Sequence, residues 1–310
     1  MNRSIGSKSQ ILRPEHTGVK ESVDKQGRRI FDKPTTRETG MNVIIITGAS
    51  EGIGAEMAKQ LARTKGATVT LVLAARQAAK LDAVAAACRQ HGAQVLCVPT
   101  DVSVRADCEA LIAQTVQQFG RIDTLINNAG MSAHALLNEV DAAHLDWYED
   151  LMRVNLWGTI WCTHAALPHL KASRGRIVAV SSLAGLVGVP GRTAYCTSKF
   201  AMNGFMEALR TELLSDGVSV TIAYPGVVDT DIRRRGFNAL GQPAGSSGLS
   251  EDKAMPVAVC VQKILQGTER RQRDVLMSPT GHVGRWLKLI APSWVDRMAW
   301  AALKKSDTQR

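Results

Sequence analysis

Three side chains in the stretch SSLAGLVGVPGRTAYCTSK, residues 181–199, have the types and spacing for proton transfer at a carbonyl oxygen. Tyr195 and Lys199 stand four residues apart, which on a helix puts both on one face, one turn from each other. A free tyrosine titrates near ~10 and is a poor base at neutral pH. An ammonium held beside a phenol favours the phenolate and brings it toward the working range. Ser182, thirteen residues before Tyr195, closes the apolar run Arg176-Ile177-Val178-Ala179-Val180, which reads as a buried strand. Its hydroxyl then stands at the carboxyl end of a sheet, where open α/β folds bind ligands. Tyr-x-x-x-Lys also occurs in ordinary helices, so the assignment depends on what positions these groups.

The positioning elements are readable along the chain. The strand Asn42-Val43-Ile44-Ile45-Ile46 runs into Thr47-Gly48-Ala49-Ser50-Glu51-Gly52-Ile53-Gly54, followed by an alanine-rich helix to about Thr64. Glycines there let the backbone turn tightly and approach a pyrophosphate, while the helix N-terminus offers free N–H groups to the anion. A second strand, Val69 to Ala75, is followed by Arg76. A guanidinium beside the ribose favours the 2′-phosphate of NADP, where an acidic residue would hold the 2′-hydroxyl of NAD. The plainer reading of Arg76 is a solvated strand end. A third strand, Val95 to Val98, leads to Asp101-Val102 and a helix over 105–119 that Asp101 or Ser103 suits as a cap. Further on come a strand over 122–126 ending in Asn127-Asn128-Ala129-Gly130, a long helix over 145–170 containing Asn155, and a helix over about 193–214. A last strand, Val218 to Ala223, ends in the turn Tyr224-Pro225-Gly226.

TGASEGIG at 47–54, NNAG at 127–130, Ser182, Tyr195 and Lys199, in this order over roughly residues 41–280, resemble the short-chain dehydrogenase/reductase family. The resemblance implies a doubly wound α/β fold of the Rossmann type, with a mainly parallel sheet in a single domain. It implies that Gly48, Ser50, Gly52, Ile53 and Gly54 hold the cofactor diphosphate, with Asp101 and Val102 at the adenine. Asn127, Ala129 and Gly130 would line the cofactor, and Pro225, Gly226, Val228 and Thr230 would hold the nicotinamide. Tyr195 would be the acid, Ser182 would orient the substrate oxygen, and Lys199 would also bind the nicotinamide ribose. Asn155 would perturb its helix and support a proton-relaying water. Glu51 departs from the pattern, standing where NADP-binding relatives often carry Lys or Arg.

The activity this implies is that of an oxidoreductase moving hydride between NADP(H) and a ketone or alcohol, a carbonyl reductase or alcohol dehydrogenase, with NAD the less favoured cofactor. Leu183, Leu186, Val187 and Val189 are apolar candidates for the substrate wall and point to a lipid- or steroid-like ketone. Two other classes compete: a catalytically silent NADP(H)-binding scaffold of the same fold, and a nucleotide-sugar epimerase or dehydratase. The first is disfavoured by the presence of all four catalytic residue types. The second normally has a different glycine spacing and a larger C-terminal domain.

Composition bounds the rest. The 310 residues are 45% hydrophobic, enough to fill a sizeable core. Six cysteines show no paired or metal-ligand spacing and suit buried reduced thiols in a cytoplasmic protein; no metal site is expected. Residues 1–40 hold nine basic and five acidic side chains and residues 270–310 nine and three, so the ends carry the whole excess of +10. A neutral body with basic ends argues against nucleic acid as the partner. Residues 1–40 lack the apolar core of a secretory signal and read as a disordered tail, with Met41 a candidate start. Residues 231–254 are turn-rich and read as a lid, with Arg233-Arg234-Arg235 either an acid-attracting patch or a solvated face. In 281–310, Trp286, Trp294 and Trp300 fall among aliphatic and basic residues, with charges and Pro292 ruling out a simple membrane span. This C-terminal amphipathic extension resembles those of the hydroxysteroid-dehydrogenase-like branch, several of which associate with membranes. Docking on the chain's own body or on a second subunit of a homo-oligomer is the favoured reading, and peripheral membrane contact the lesser one.

Overall fold

The structure, a computed structural model, describes residues 21–23, 29–31, 42–247 and 254–307. The chain divides into two units, Met1–Gly40 and Met41–Arg310. In the first, β1 (Glu21–Val23) pairs antiparallel with β2 (Arg29–Phe31); the rest of the stretch read as a tail, and Met41, lie outside the described residues.

The second unit is built on strands whose sequences are mainly apolar, as strands covered on both faces tend to be. They are β3 (Asn42–Thr47), β4 (Val69–Ala75), β5 (Gln94–Pro99), β6 (Thr124–Asn127), β7 (Arg176–Val180), β8 (Ser219–Tyr224) and β9 (Asp274–Leu276). All pair in parallel, in the order β5-β4-β3-β6-β7-β8-β9. The order reverses between β3 and β6, which opens a crevice at their carboxyl ends.

Strand alternation divides the core in two. Ile44 and Ile46 of β3 pack with α1 (Gly52–Lys65), α2 (Ala78–Arg89) and α7 (Val257–Glu269). Val43 and Ile45 face the other way, onto α3 (Arg105–Phe119), α5 (Gly158–Ala172) and α6 (Thr193–Glu212). The long helix expected over 145–170 is α4 (Asp146–Met152) and α5, joined by a five-residue π turn, Arg153–Trp157, that contains Asn155. The C-terminal appendage is two helices, α8 (Pro279–Ile290) and α9 (Pro292–Asp307). Ser278 caps α8 with Pro279 in its first turn. Arg285 pairs with Asp274 at 2.9 Å, and Lys288 Nζ donates to Leu186 O at 2.9 Å, tying α8 to β9 and to the turn after Ser182.

Candidate active site

Strand β3 ends in a loop that only glycine can build. Gly48 has φ of +65°, and a Cβ on Gly54 would collide with the Gly48 carbonyl. Thr47 Oγ1 accepts from the backbone N–H groups of Asn128 and Ala129, each at 3.0 Å, clamping the glycine loop to the end of β6. Between these loops lies a cleft of about 300 Å³. Gly48, Ser50, Glu51, Gly52 and Ile53 line one side, Arg76, Asp101 and Val102 the far end, and Ala129 and Gly130 the floor.

The cleft continues to Ser182, Tyr195 and Lys199, then to Pro225, Gly226, Val228 and Thr230. Ser182 stands just beyond β7; its hydroxyl donates to Pro225 O at 3.4 Å and accepts from the Ala184 N–H at 3.2 Å. Tyr195 and Lys199 are both buried on α6, with Lys199 Nζ 5.9 Å from the centre of the tyrosine ring. Among the described residues the lysine ammonium has one hydrogen-bond partner, Val180 O at 3.0 Å, and no carboxylate. Burial without a counter-charge pushes its pKa down to about 7.

Three residues expected at the cofactor or in catalysis do not line the cleft. Gly54 lies behind the loop as a packing glycine. Asn127 is the last residue of β6 and alternation turns it inward, where Nδ2 donates to Thr163 Oγ1 at 3.0 Å; its neighbour Asn128 lines the cleft in its place. Asn155 is fully buried within the π turn, its Oδ1 accepting from Met131 N–H at 2.8 Å. Its Nδ2 donates to Met131 O at 3.0 Å and to Ser198 Oγ at 2.9 Å, and Ser198 Oγ donates to Tyr195 O at 2.8 Å. Asn155 therefore braces the loop facing Tyr195 and the helix that carries it. The expected local perturbation of its helix is this π turn.

Other details sharpen the reading. Asp101 does not cap α3, whose first residue follows Val104; instead its carboxylate holds the Ser103 N–H and hydroxyl at 2.9 and 2.7 Å. Glu51, out of pattern in the glycine loop, forms ion pairs with Lys80 and Arg235, so its charge is neutralised beside the cleft. Arg76 is exposed and has no partner among the described residues, leaving its guanidinium available at the cleft's far end. No acidic residue stands in the first turn of α1. These features fit an anionic dinucleotide.

The segment read as a lid packs through Phe237 on Ser132–His134, with His134 N–H to Phe237 O at 2.8 Å and Phe237 N–H to Ser132 O at 2.9 Å. It brings Ile232, Arg233 and Arg235 to the cleft; residues 248–253 lie outside the described ones. None of the four apolar candidates for the substrate wall lines the cleft, and Leu183 and Val187 sit beside α8. A Cβ on Gly281 would meet Leu183, and one on Gly284 would meet Val187. Leu186 packs against the core, and Val189 lies against Ala184, Tyr195 and Cys196.

Sequence reasoning did not find Arg192 or Ser132. Both line the cleft beside Tyr195. Arg192 stands three residues before Tyr195, a helical-face spacing that was available as a signal. Ser132 carries none.

Comparison with known proteins agrees with this geometry. The family model for short chain dehydrogenase matches residues 42–240. An Arabidopsis thaliana protein named 11-beta-hydroxysteroid dehydrogenase-like 4A is 39% identical over 251 residues, covering 81% of each chain. A short chain dehydrogenase/reductase from Burkholderia phymatum, solved with NAD, superposes with a TM-score of 0.71 at 26% identity over 83% of this chain and 96% of its own. An alcohol dehydrogenase from Thermococcus sibiricus, solved with 5-hydroxy-NADP, gives a TM-score of 0.61 at 27% identity over 72% and 88%. The chain belongs to the short-chain dehydrogenase/reductase family, in its hydroxysteroid-dehydrogenase-like branch, and is an oxidoreductase of that fold.

Proposed function

We propose that this protein is an NADP(H)-dependent carbonyl reductase or alcohol dehydrogenase acting on a hydrophobic, lipid- or steroid-like substrate. The observation that carries the reading is one cleft shared by Ser182, Tyr195, Lys199, the glycine loop and an exposed Arg76. NADP is favoured over NAD because Arg76 can meet a 2′-phosphate with charge-assisted hydrogen bonds while Lys80 and Arg235 neutralise Glu51. The cofactor, when bound, supplies or accepts the hydride.

The protein's part is positioning and proton transfer. The Ser182 hydroxyl turns from Pro225 O to hydrogen-bond the substrate oxygen and fix its orientation. The Tyr195 phenol gives that oxygen a proton during reduction and takes it back during oxidation. Lys199, charged when the cofactor's ribose and phosphates replace lost solvent, binds the ribose and keeps a cation beside the phenol. Asn155 holds the loop and helix on either side in register and supports the proton relay. Apolar substrate binding is supported by the names of the plant relatives and by Met131, Val154 and Ile232 in the cleft.

The reading extends to the surface. Trp286, Leu289, Ile290 and Trp294 are exposed along α8 and the start of α9, with Arg297 exposed nearby. This pattern supports peripheral contact with an anionic lipid surface, and a cytoplasmic setting is proposed from the unpaired cysteines alone. No helix among the described residues is long and apolar enough to cross a membrane. Trp157 is exposed and stacked on Trp161 at 5.9 Å on the outer face of α4 and α5, which supports a homo-oligomer. The test of function is NADPH oxidation against a panel of apolar ketones. Turnover with NADPH well above that with NADH is expected, and no turnover with any member would overturn the proposal.

A further inference from the structure

Arg192 is an unusual residue to bury beside a catalytic phenol. It is 9% exposed, and its guanidinium lies over the Tyr195 ring, 4.5 Å from the centre. Nε donates to Ala133 O at 3.3 Å and one terminal nitrogen, Nη2, to Ser132 Oγ. The other terminal nitrogen, Nη1, has no partner among the described residues, yet it is not among the solvent-inaccessible atoms left unpaired, and the residue lines the cleft. Among the described residues no carboxylate answers this charge. Desolvation lowers the Arg192 pKa, and repulsion from a second buried cation, Arg233, adds to it against the opposing pull of Tyr195 and Cys196.

Taking a guanidinium out of water without a counter-ion costs several kcal/mol, so the arrangement is one that an incoming anion stabilises. A fork whose Nε and Nη2 donors on one edge are held by Ala133 and Ser132 presents its other edge in a set orientation, which suits a planar carboxylate. Ser132, whose oxygen accepts from Arg192, keeps its own hydroxyl proton for the same ligand. Met131, Val154 and Ile232 supply apolar wall nearby.

We infer that Arg192, with Ser132, forms a carboxylate subsite beside Tyr195, and that the substrate is an apolar oxo acid: an aliphatic body carrying both the reacting ketone and a carboxylate. This deepens the proposed reductase function and rests on it for the ketone, while the carboxylate assignment rests on Arg192 alone. Arg192 acts here as a specificity residue.

The test is steady-state reduction of straight-chain oxo acids, with the ketone moved stepwise from the carboxylate, each beside its methyl ester. Wild type, Arg192→Gln and Arg192→Lys are compared. The wild type is expected to prefer the best acid over its ester by at least about tenfold in kcat/KM, the scale of a charge-assisted hydrogen bond. Arg192→Gln should erase that ratio, and Arg192→Lys, a point charge without a fork, should keep part of it. The ratio is the readout because damage to the fold or to Tyr195 lowers acid and ester together. No acid preference in the wild type at any spacing overturns the inference, as does a preference that survives Arg192→Gln. Calorimetric binding of decanoate to the NADPH-loaded protein, beside decanol, reads the subsite without turnover. Decanoate affinity should fall at least about tenfold in Arg192→Gln relative to decanol. Decanoate binding that depends on Arg192 without reduction of any ketone would sink the reductase reading alone. Ester turnover with decanoate binding indifferent to Arg192 would sink the subsite alone.

Discussion

Cofactor binding should take up a proton at Lys199. In the native fold burial holds its ammonium pKa near 7, against 10.5 for a solvated lysine. Around it stand Val180 O and the Tyr195 ring, and a Cβ on Gly130 would meet it; among the described residues no carboxylate holds the charge. The ribose hydroxyls and phosphates of a bound dinucleotide favour the ammonium, so the complex selects the protonated lysine. Near pH ~8.5 the free protein holds this lysine almost wholly neutral, and binding then draws in close to one proton. Near pH ~6 the uptake should be close to zero. Each pH unit above 7 costs up to about 1.4 kcal/mol, a tenfold rise in Kd, until the complex itself loses the proton. The 2′-phosphate, with a second pKa near ~6, is already ionised near pH ~8.5 and does not blur the uptake there, which makes the high-pH arm the decisive one.

The assay is calorimetric titration with NADPH in buffers of different ionisation enthalpy, on wild type and Lys199→Met. The reasoning is refuted if the wild type takes up no proton near pH ~8.5, or if uptake persists in Lys199→Met. Stability follows the same linkage. Between about 7 and 10.5 the unfolded chain binds the extra proton, so cofactor-free stability rises with pH across that window and the penalty is complete below it. Lys199→Met should therefore gain in Tm over the wild type most clearly near pH ~6.5, where the wild-type ammonium is buried and charged.

Two further outcomes are expected. Arg76→Ala should weaken NADPH at least about tenfold while leaving NADH far less affected, and Ala75→Asp should turn the preference toward NADH; equal loss of both cofactors in Arg76→Ala would make Arg76 structural. Replacing Trp286, Ile290 and Trp294 together by Ser should reduce flotation with anionic vesicles and leave NADPH binding intact. These side chains are exposed, whereas truncation would also remove Arg285 and Lys288, which tie α8 to β9 and Leu186; unchanged flotation would end the lipid reading.

The sheet was readable because parallel strands buried on both faces are nearly pure apolar runs. β4 falls on the expected residues Val69 to Ala75, and α3 on 105–119. The glycine loop was readable for a related reason: its backbone crowding excludes side chains, so the constraint appears as residue type. What pattern does not encode is the direction of individual side chains. Asn127 and Asn128 are adjacent in an identical motif, and only strand alternation sends one to Thr163 and the other to the cleft. Arg192 was missed because its partners, Ser132 and Ala133, lie about sixty residues away in a loop without pattern. The pairing that neutralises Glu51 likewise joins three separate elements of the chain. The apolar run after Ser182 was assigned to the substrate because the sequence gives no sign that α8 folds back over it.

The central claim is that Tyr195 is the proton donor in a cleft that binds NADPH. It is tested most directly by single-turnover NADPH oxidation in Tyr195→Phe, with NADPH affinity measured on the same preparation. The phenyl ring keeps the stacking with Arg192 and loses only the hydroxyl. The account predicts loss of ketone reduction by a factor of at least about 10²–10⁴, with NADPH affinity within about threefold of wild type. Substantial reduction by Tyr195→Phe at saturating ketone and NADPH would contradict it.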